Sequence, residues 1–219
     1  MGMVFISVAG VLLAAGEGSR LGQPKALVKL GGQTLAERGV RMLRAGGADP
    51  VLIVTGAARV ELDPADRIHT VYNPQWRTGM GSSLRAALQA LARAGEPAAV
   101  PERSAPIPFP DVGAAVIALA DQPLVGAEAV ARLIAAYRAG ASVAVAAYEG
   151  RPRNPVLLAR GHWPEVIEAA TGDHGARELL RAHPDLVTLV ECGDTGRPDD
   201  IDTPADLARV AGQVPPVRR

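Results

Sequence analysis

The feature that most restricts the fold of this chain is an uninterrupted apolar run from Ala114 to Ala120, which leads directly into Asp121. A strand that is apolar at every position needs cover on both faces, as the central strands of parallel sheets have. Shorter apolar runs and segments with helical periodicity alternate on either side of this run. The alternation predicts an α/β domain of three layers, in which helices cover both faces of a mostly parallel sheet.

The other elements follow from hydrophobic periodicity and from helix start and stop signals. Strands are predicted at 8–14, 51–54, 68–72, 114–120, 143–147, 156–159 and 186–190. Helices are predicted at 35–45, 83–94, 127–139, 164–170, 176–182 and 204–211. The first helix has the clearest ends, because Thr34 and Glu37 form a capping box before it and Gly46 and Gly47 follow it.

The 219 residues contain no repeat and no linker, so one domain is predicted over residues 1–212. The segment 213–219 includes Pro215 and Pro216 and is expected to form a flexible C-terminal tail. Five prolines lie between residues 96 and 111, too many for a helix or a central strand, and this segment is predicted to be a surface loop.

Composition argues against several classes of partner. The formal net charge is +0 and no Lys/Arg cluster is present, so no nucleic acid is expected to bind; only 3% of residues are aromatic, too few for a base-stacking surface. Residues 4–15 are apolar but shorter than the roughly 20 residues of a membrane span, and no Lys or Arg precedes them, as one would in a signal peptide. Cys192 is the only cysteine, which favours a reducing, cytoplasmic location.

A glycine-rich loop with two basic residues follows the first predicted strand. It runs from Leu12 to Lys25 and reads LLAAGEGSRLGQPK. Glycines let backbone amides approach an anion closely, and Arg20 and Lys25 would neutralise a triphosphate. A dinucleotide-binding fingerprint would need glycine where Leu21 stands, and a P-loop would need Ser or Thr after Lys25. The loop is therefore predicted to be a phosphate-binding loop of another type.

The stretch from Leu12 to Lys25 resembles the signature loop of the nucleotidyltransferases that include molybdenum cofactor cytidylyltransferase. The resemblance extends over nearly the whole chain and implies a single Rossmann-like domain of the nucleotidyltransferase type. It also implies that the loop binds the nucleotide and that Arg20 and Lys25 act as catalytic cations. The loop residues implied in nucleotide binding are Leu13, Ala14, Ala15, Gly16, Gly18, Ser19, Arg20 and Lys25.

A second motif, Asn73–Leu84, lies between a predicted strand and a predicted helix. Glycines followed by serines place free amides and small donors at a helix N-terminus. The corresponding segment lines the base pocket in the family, so the resemblance implies that the base or ribose contacts Gly79, Gly81, Ser82 and Ser83. Capping of the helix by Ser82 is the alternative interpretation.

Asp121 is the first predicted ligand of a Mg²⁺ ion. It follows the central strand, where a carboxylate suits a cation at the C-terminal edge of the sheet. The sequence Asp121-Gln122-Pro123 closely matches the family's metal-binding motif. The resemblance therefore gives Asp121 a catalytic and nucleotide-binding role as well.

The second ligand is expected in the stretch 199–206, which resembles the family's late acidic motif. Thr203 is interpreted as an N-cap and Asp206 as a capping acid, which leaves Asp200 and Asp202 without a structural role. Alternation along an extended segment would point both to the same side. Asp202 is preferred as the metal ligand, and Asp200 is the alternative.

Two further segments, Arg151–Leu157 and Gly172–Arg177, resemble the acceptor site of the molybdenum cofactor branch. They imply that a phosphorylated pterin is bound by Arg153, Asn154, Pro155 and His174, whose cationic and polar groups suit an anion. His174 could equally be an ordinary surface residue, and Asp173 beside it a helix cap. The remaining histidines and Cys192 match no motif and are interpreted as structural.

The sequence Ala14-Ala15-Gly16 resembles the cytidylyl branch of the family. The expected reaction is therefore transfer of CMP from CTP to the phosphate of molybdopterin, with release of pyrophosphate. The alternatives are a guanylyl- or other nucleotidyltransferase with a different phosphorylated acceptor, a non-catalytic carrier of the finished cofactor, and a nucleotide-sensing module. A recipient molybdoenzyme or its chaperone is an expected protein partner.

Overall fold

The computed structural model describes residues 7–63, 68–93, 112–170, 172 and 176–213. Nine strands and six α-helices are assigned within them. The strands are β1 (Ser7–Leu13), β2 (Lys29–Leu30), β3 (Gln33–Thr34), β4 (Val51–Thr55), β5 (Ile68–Tyr72), β6 (Val112–Leu119), β7 (Val143–Tyr148), β8 (Arg151–Ala159) and β9 (Val187–Glu191). The helices are α1 (Leu35–Ala45), α2 (Met80–Ala92), α3 (Ala127–Arg138), α4 (Trp163–Ala169), α5 (Arg177–Ala182) and α6 (Pro204–Ala211).

Seven strands form one sheet in the order β5-β4-β1-β6-β8-β7-β9. Only β8 runs against its neighbours, and it pairs antiparallel with both β6 and β7. Residues 114–119 of the predicted central run lie in β6 and pair with β1, from Val8 opposite Ala114 to Leu13 opposite Leu119. Since β1 and β6 are parallel neighbours, the loops that follow them leave the same edge of the sheet.

Two apolar cores lie on the two faces of the sheet. On one face, α1 and α3 bury Val40, Leu43 and Leu133 against Leu12 of β1. On the other face, α2 and α4 bury Leu84, Leu88 and Trp163. This confirms the predicted three-layer α/β domain with a mostly parallel sheet.

Helix α1 begins and ends where its caps predicted. The Thr34 side chain accepts a hydrogen bond from the Glu37 amide, and the Glu37 carboxylate accepts one from the Thr34 amide. Helix α6 has the same arrangement, with Thr203 as N-cap and Asp206 as the reciprocal acid. Both capping boxes are confirmed.

Strand β8 is longer than predicted, because it begins at Arg151 and not at Val156. The added residues Arg151 to Arg153 are exposed and lack an apolar pattern, so periodicity gave no signal for them. They are strand because they pair with β7, from Tyr148 opposite Arg151 to Ala146 opposite Arg153. The short hairpin of β2 and β3 was also not predicted.

Several predictions fall outside the described residues: the proline-rich segment 96–111, the tail from residue 214 onward, and residues 173–175. Within the ranges that are described, no helix has the length and apolarity needed to cross a membrane.

Candidate functional site

The loop after β1 is shaped by two glycines in the left-handed region. Gly18 has φ 62° and Gly22 has φ 71°, and they bracket a 3₁₀ turn over Ser19–Leu21. A Cβ at Gly18 would overlap the Gln23 carbonyl oxygen and come within 3.1 Å of the Lys25 backbone nitrogen. Glycine at this position therefore lets the chain fold back and bring Lys25 under the loop.

The amides of residues 16–20 donate no hydrogen bond to any other part of the described chain. The flanks of the loop are held, since Ala14 donates to the Val54 carbonyl at 3.0 Å and Ala57 donates to the Ala15 carbonyl at 3.0 Å. Free amides on an anchored glycine-rich loop form the type of concave donor surface that binds phosphate.

Lys25 joins the two acidic motifs. Its Nζ donates to Asp121 Oδ2 at 2.7 Å and to Asp202 Oδ1 at 2.6 Å. Arg20 Nη2 lies 3.3 Å from the other oxygen of Asp202. Carboxylates from two distant stretches of chain therefore converge on the cations of the first loop, as the sequence predicted for a shared site.

Main-chain contacts fix the position of the second acidic motif. The Ile201 amide donates to the Asp121 carbonyl at 2.9 Å, and Ile201 is fully buried. This bond aligns the segment 200–202 with the residues that follow β6. The side chains of Asp200 and Asp202 flank Ile201 and reach the same cluster.

Asp200 has a different partner from Asp202. Its Oδ1 accepts a hydrogen bond from Gln122 Nε2 at 2.9 Å. Gln122 is buried, and its Oε1 has no hydrogen-bond partner within the described part of the chain. Gln122 therefore holds Asp200 beside the cluster, while Asp121 and Asp202 share one cation.

The charges of the cluster shift the pKa values of its members. Burial by itself lowers the pKa of Lys25, but the charges and hydrogen bonds of Asp121 and Asp202 outweigh it and raise the pKa above its usual value. The hydrogen bond from Lys25 lowers the pKa of Asp202. Partial desolvation raises the pKa of Asp200, and the bond from Gln122 opposes this shift. Lys25 is thus held as an ammonium.

The donor set suits a hard divalent cation. Mg²⁺ and Mn²⁺ prefer carboxylate oxygens. Asp121 Oδ2 and Asp202 Oδ1 already converge on one positive charge, that of Lys25. This geometry fits the predicted ligand pair Asp121 and Asp202 better than a pair that includes Asp200. The metal assignment itself stays a prediction.

The second predicted nucleotide motif is organised by Asn73, which the sequence did not single out. Asn73 is buried, and its Nδ2 donates to Ser82 Oγ at 2.8 Å and to Ser83 Oγ at 3.0 Å. Its Oδ1 accepts from the Gln75 amide at 2.9 Å. The two serine hydroxyls are therefore buried parts of a loop framework. Their predicted contact with a nucleotide stays untested.

The N-cap of α2 is Gly79, with φ 109°, and not Ser82. Ser82 Oγ instead donates back toward the carbonyls of Gln75 and Gly79. Gly81 donates its amide to the Gly172 carbonyl at 2.8 Å. The alternative interpretation of Ser82 as a helix cap is therefore wrong, and the Gly81 amide is already engaged by a segment predicted to bind the acceptor.

Trp76 lies beside the first loop, although the motif analysis assigned it no role. A Cβ at Gly56 would lie 2.5 Å from the Trp76 Cβ and 2.9 Å from the Ala15 Cβ, so Trp76 packs beside the first loop. The Arg77 guanidinium lies 4.3 Å from the centroid of the Trp76 ring. Gly56 permits the close approach of these two loops, and sequence periodicity carries no signal for such an approach.

The predicted acceptor residues lie at the start of β8. Arg153 is exposed, Asn154 is half-buried and Pro155 is buried. Val156 pairs with Ile117 of β6, so the preceding residues flank the end of β6 that leads to Asp121. The structure therefore brings these three residues to the same edge of the sheet as the acidic cluster. His174 lies outside the described residues.

Comparison with known proteins gives one family. A model described as the MobA-like NTP transferase domain matches residues 10–187. A protein of Paenarthrobacter nicotinovorans named nicotine blue oxidoreductase is 36% identical, over 93% of this chain and 96% of the relative. A probable molybdenum cofactor guanylyltransferase of Opitutus terrae is 40% identical, over 41% of this chain and 43% of the relative.

Solved structures agree with the fold. A crystal structure from Mycobacterium sp. strain JC1, of a homologue of the M. tuberculosis protein Rv0371c, has a TM-score of 0.72 and 34% identity, covering 94% of this chain and 96% of that one. Rv0371c of M. tuberculosis H37Rv has been solved in complex with manganese; it has a TM-score of 0.68 and 25% identity, covering 95% of this chain and 100% of that one.

Proposed function

The chain belongs to the MobA-like NTP transferase family, and we propose that it transfers CMP from CTP to the phosphate of molybdopterin and releases pyrophosphate. The nucleotidyltransferase family is established by the match over residues 10–187. The identities of the base, the acceptor and the metal ion are what we propose here.

One observation carries the proposed reaction: Asp121 and Asp202 converge on Lys25 of the glycine-rich loop, at 2.7 and 2.6 Å. Joining two phosphorylated molecules requires that two anions meet. A cluster that holds a divalent cation on carboxylates, beside cationic side chains and free amides, meets that requirement.

The reaction needs no general base from the protein. A phosphate monoester has a second pKa near about 6, so the acceptor oxygen is already ionised at neutral pH. That oxygen attacks the α-phosphorus of the triphosphate and forms a new P–O bond. The bond from the α-phosphorus to the bridging oxygen breaks, and its electron pair leaves with pyrophosphate.

The chain's own residues bind and orient the reactants. The amides of residues 16–20 donate to the phosphate oxygens, and Lys25 and Arg20 neutralise the charge that develops on pyrophosphate. A Mg²⁺ ion held by Asp121 and Asp202, with Asp200 as the alternative ligand, supplies neutralisation and orientation of the phosphates. Arg153 and Asn154 hold the acceptor phosphate from the β8 side.

Base choice is assigned to the loop and to the start of α2. The sequence Ala14-Ala15-Gly16 resembles the cytidylyl branch of the family and so supports CTP as the nucleotide substrate. Ala15 is packed beside Trp76 and Gly56, which restricts the space next to the loop. Gly79, Gly81, Ser82 and Ser83 complete the proposed base and ribose contacts.

The reaction is tested by incubating the protein and Mg²⁺ with each of the four nucleoside triphosphates and molybdopterin. We expect pyrophosphate release with CTP and a product with the mass of molybdopterin cytosine dinucleotide. If GTP is the one triphosphate of the four that supports turnover, the protein is a guanylyltransferase and the cytidylyl assignment is wrong. Tight binding of the dinucleotide without pyrophosphate release would identify a carrier.

Asp121→Asn is expected to abolish turnover, because it removes half of the shared carboxylate pair. The fold should be retained, since Asp121 lies after β6 and outside both apolar cores. Pyrophosphate release and circular dichroism measure the two effects.

Asp199→Asn is the matched control, because Asp199 lies in the same acidic stretch but pairs with Arg197 and Arg209. Near-normal turnover of Asp121→Asn, or equal loss in both variants, would contradict the assigned role of Asp121.

A second candidate function is oxidoreductase activity on nicotine blue, favoured by the 36% identity with the relative named nicotine blue oxidoreductase along 93% of this chain. The glycine spacing of the first loop does not match the dinucleotide-binding fingerprint, because Leu21 stands at its third glycine. Conversion of nicotine blue by the protein in the presence of a redox cofactor, measured by product mass and without pyrophosphate release in the first assay, would favour this second candidate.

A further inference from the structure

Lys25 lies against the two carboxylates, a position that its proposed role at the triphosphate does not explain. Its ammonium makes two short hydrogen bonds to the carboxylates that are proposed to hold the metal. Its side chain is 22% exposed, and those of Asp121 and Asp202 are 21% and 34% exposed. The ammonium therefore fills the space between the two oxygen donors.

A divalent cation cannot share this position with the ammonium. Mg²⁺ binds oxygen at about 2.1 Å, closer than an ammonium does, and it needs the same oxygen lone pairs. The two cations would also repel each other at contact distance. Either Lys25 or the metal can bridge Asp121 and Asp202, but not both.

Lys25 is suited to move between two anionic partners. Its ammonium is a compact charge on a flexible four-carbon chain. It is carried by the same loop whose residues 16–20 offer free amides for phosphate. A bound triphosphate therefore offers Lys25 a new partner within the same loop.

We infer that Lys25 occupies the metal position in the nucleotide-free protein and is exchanged for the divalent cation when its ammonium passes to the triphosphate. The inference rests on the proposed function for the identity of the anion. It makes Lys25 the residue that couples the two binding events: the triphosphate raises the affinity for the metal, and the metal raises the affinity for the triphosphate by the same factor.

The chain provides a direct test in the wild-type protein, because Lys25 and Lys29 are its only lysines. Lysine labelled with ¹³C at Cε gives two NMR signals, and Lys29 is exposed on β2 and serves as an internal control. We expect Mg²⁺ to shift the Lys25 signal in a saturable manner and to leave the Lys29 signal unchanged. In Asp121→Asn, the metal dependence should disappear. A Lys25 signal that stays in place while Mg²⁺ saturates the site, as measured by competition with Mn²⁺, would overturn the inference.

The affinity for Mn²⁺ alone gives a second test. Removal of the competing ammonium in Lys25→Met should tighten Mn²⁺ binding to the nucleotide-free protein by about tenfold or more, within the usual range of such couplings. Arg20→Met is the matched control, since Arg20 is 69% exposed and contacts the outer oxygen of Asp202, at 3.3 Å. It should change the affinity much less.

Equal or weaker Mn²⁺ binding by Lys25→Met would show that Lys25 supports the metal site and does not compete for it. If that variant does not fold, the NMR titration of the wild-type protein still decides the question. Neither measurement uses the acceptor or depends on turnover. The Lys25 exchange can therefore be disproved while pyrophosphate release supports the proposed function, and the proposed function can be disproved while the exchange is supported.

Discussion

Gly18 shows how a single residue determines the geometry of the first loop. Its positive φ and the nearness of the Gln23 carbonyl exclude any side chain. Gly22 has a similar φ of 71°, but a Cβ there would meet nothing within 4 Å. The two glycines therefore separate the cost of backbone strain from the cost of a steric clash.

Gly22→Ala is expected to lower the free energy of unfolding by about 1–2 kcal/mol, the cost of left-handed backbone for a residue with a Cβ. Gly18→Ala should lower it further, because the new Cβ also displaces the backbone at Gln23 and Lys25. Urea unfolding measures both, and Mn²⁺ binding by Gly18→Ala should differ from that of the wild type since Lys25 is displaced. Equal destabilisation by the two variants would contradict the close approach of Gln23 and Lys25 to Gly18.

Residues with polar chemistry in a recognisable motif could be predicted from the sequence, and Lys25, Asp121 and Asp202 do lie together. Asn73 and Gln122 were not assigned roles, although both stand inside quoted motifs. Their importance comes from burial and from the partners that surround them, Ser82, Ser83 and Asp200. Such burial depends on the packing of distant segments, which a local pattern does not contain.

At the scale of elements, α6 links helix capping to the acidic cluster. Thr203 caps the helix and directly follows Asp202. The Asp206 carboxylate accepts from the Thr203 amide at 2.9 Å and the Asp202 amide at 3.3 Å. The same capping box that starts the helix thus restrains the backbone of a proposed metal ligand.

Thr203→Ala should reduce the free energy of unfolding by about 1 kcal/mol, the usual cost of losing an N-cap. It should also weaken Mn²⁺ binding, because Asp202 loses part of its restraint. Thr34→Ala removes the equivalent cap of α1 and is the matched control, since no proposed metal ligand is next to it in the chain. Thermal or urea unfolding and Mn²⁺ titration test the pair. If both variants bind Mn²⁺ with the same affinity, the α6 cap does not contribute to the proposed metal site.

Elements with strong local sequence signals were predicted well, whereas the first part of β8 has no such signal and was missed. The helices α1 and α6 carry capping boxes and apolar periodicity, and both begin and end as predicted. The first part of β8 is exposed, so its strand conformation depends on hydrogen bonds to β7 and not on burial. Antiparallel pairing of β8 with β6 likewise depends on where the chain returns in space.

For the whole molecule, several carboxylates are stabilised by partners that exist only in the folded state. Backbone amides of Gly150 and Gly193 lower the pKa of Glu191. Hydrogen bonds from Arg132 lower the pKa of Asp194, and those from Thr203 lower the pKa of Asp206. Because these folded pKa values lie below the unfolded ones, the stabilisation is present above the unfolded pKa and is lost as pH falls through the folded pKa.

The stabilisation from these carboxylates is therefore expected to fall as the pH drops below about 4, the range of unfolded Asp and Glu. Urea midpoints measured at several pH values test this. Glu191→Gln should be less stable than the wild type at neutral pH, and the difference should narrow in acid. A urea midpoint that stays constant or rises from pH 5 to pH 3 would contradict the assignment.

The main-chain bond from Ile201 to the Asp121 carbonyl has a consequence for divergence within the family. This bond involves no side chain, so substitutions in the neighbouring loops leave the spacing of the acidic pair unaffected. The sequences of the loops around Trp76 and at the start of β8 are free to change without altering this bond. A fold built in this way can acquire new substrates over evolution while the spacing of its two acidic motifs is inherited unchanged.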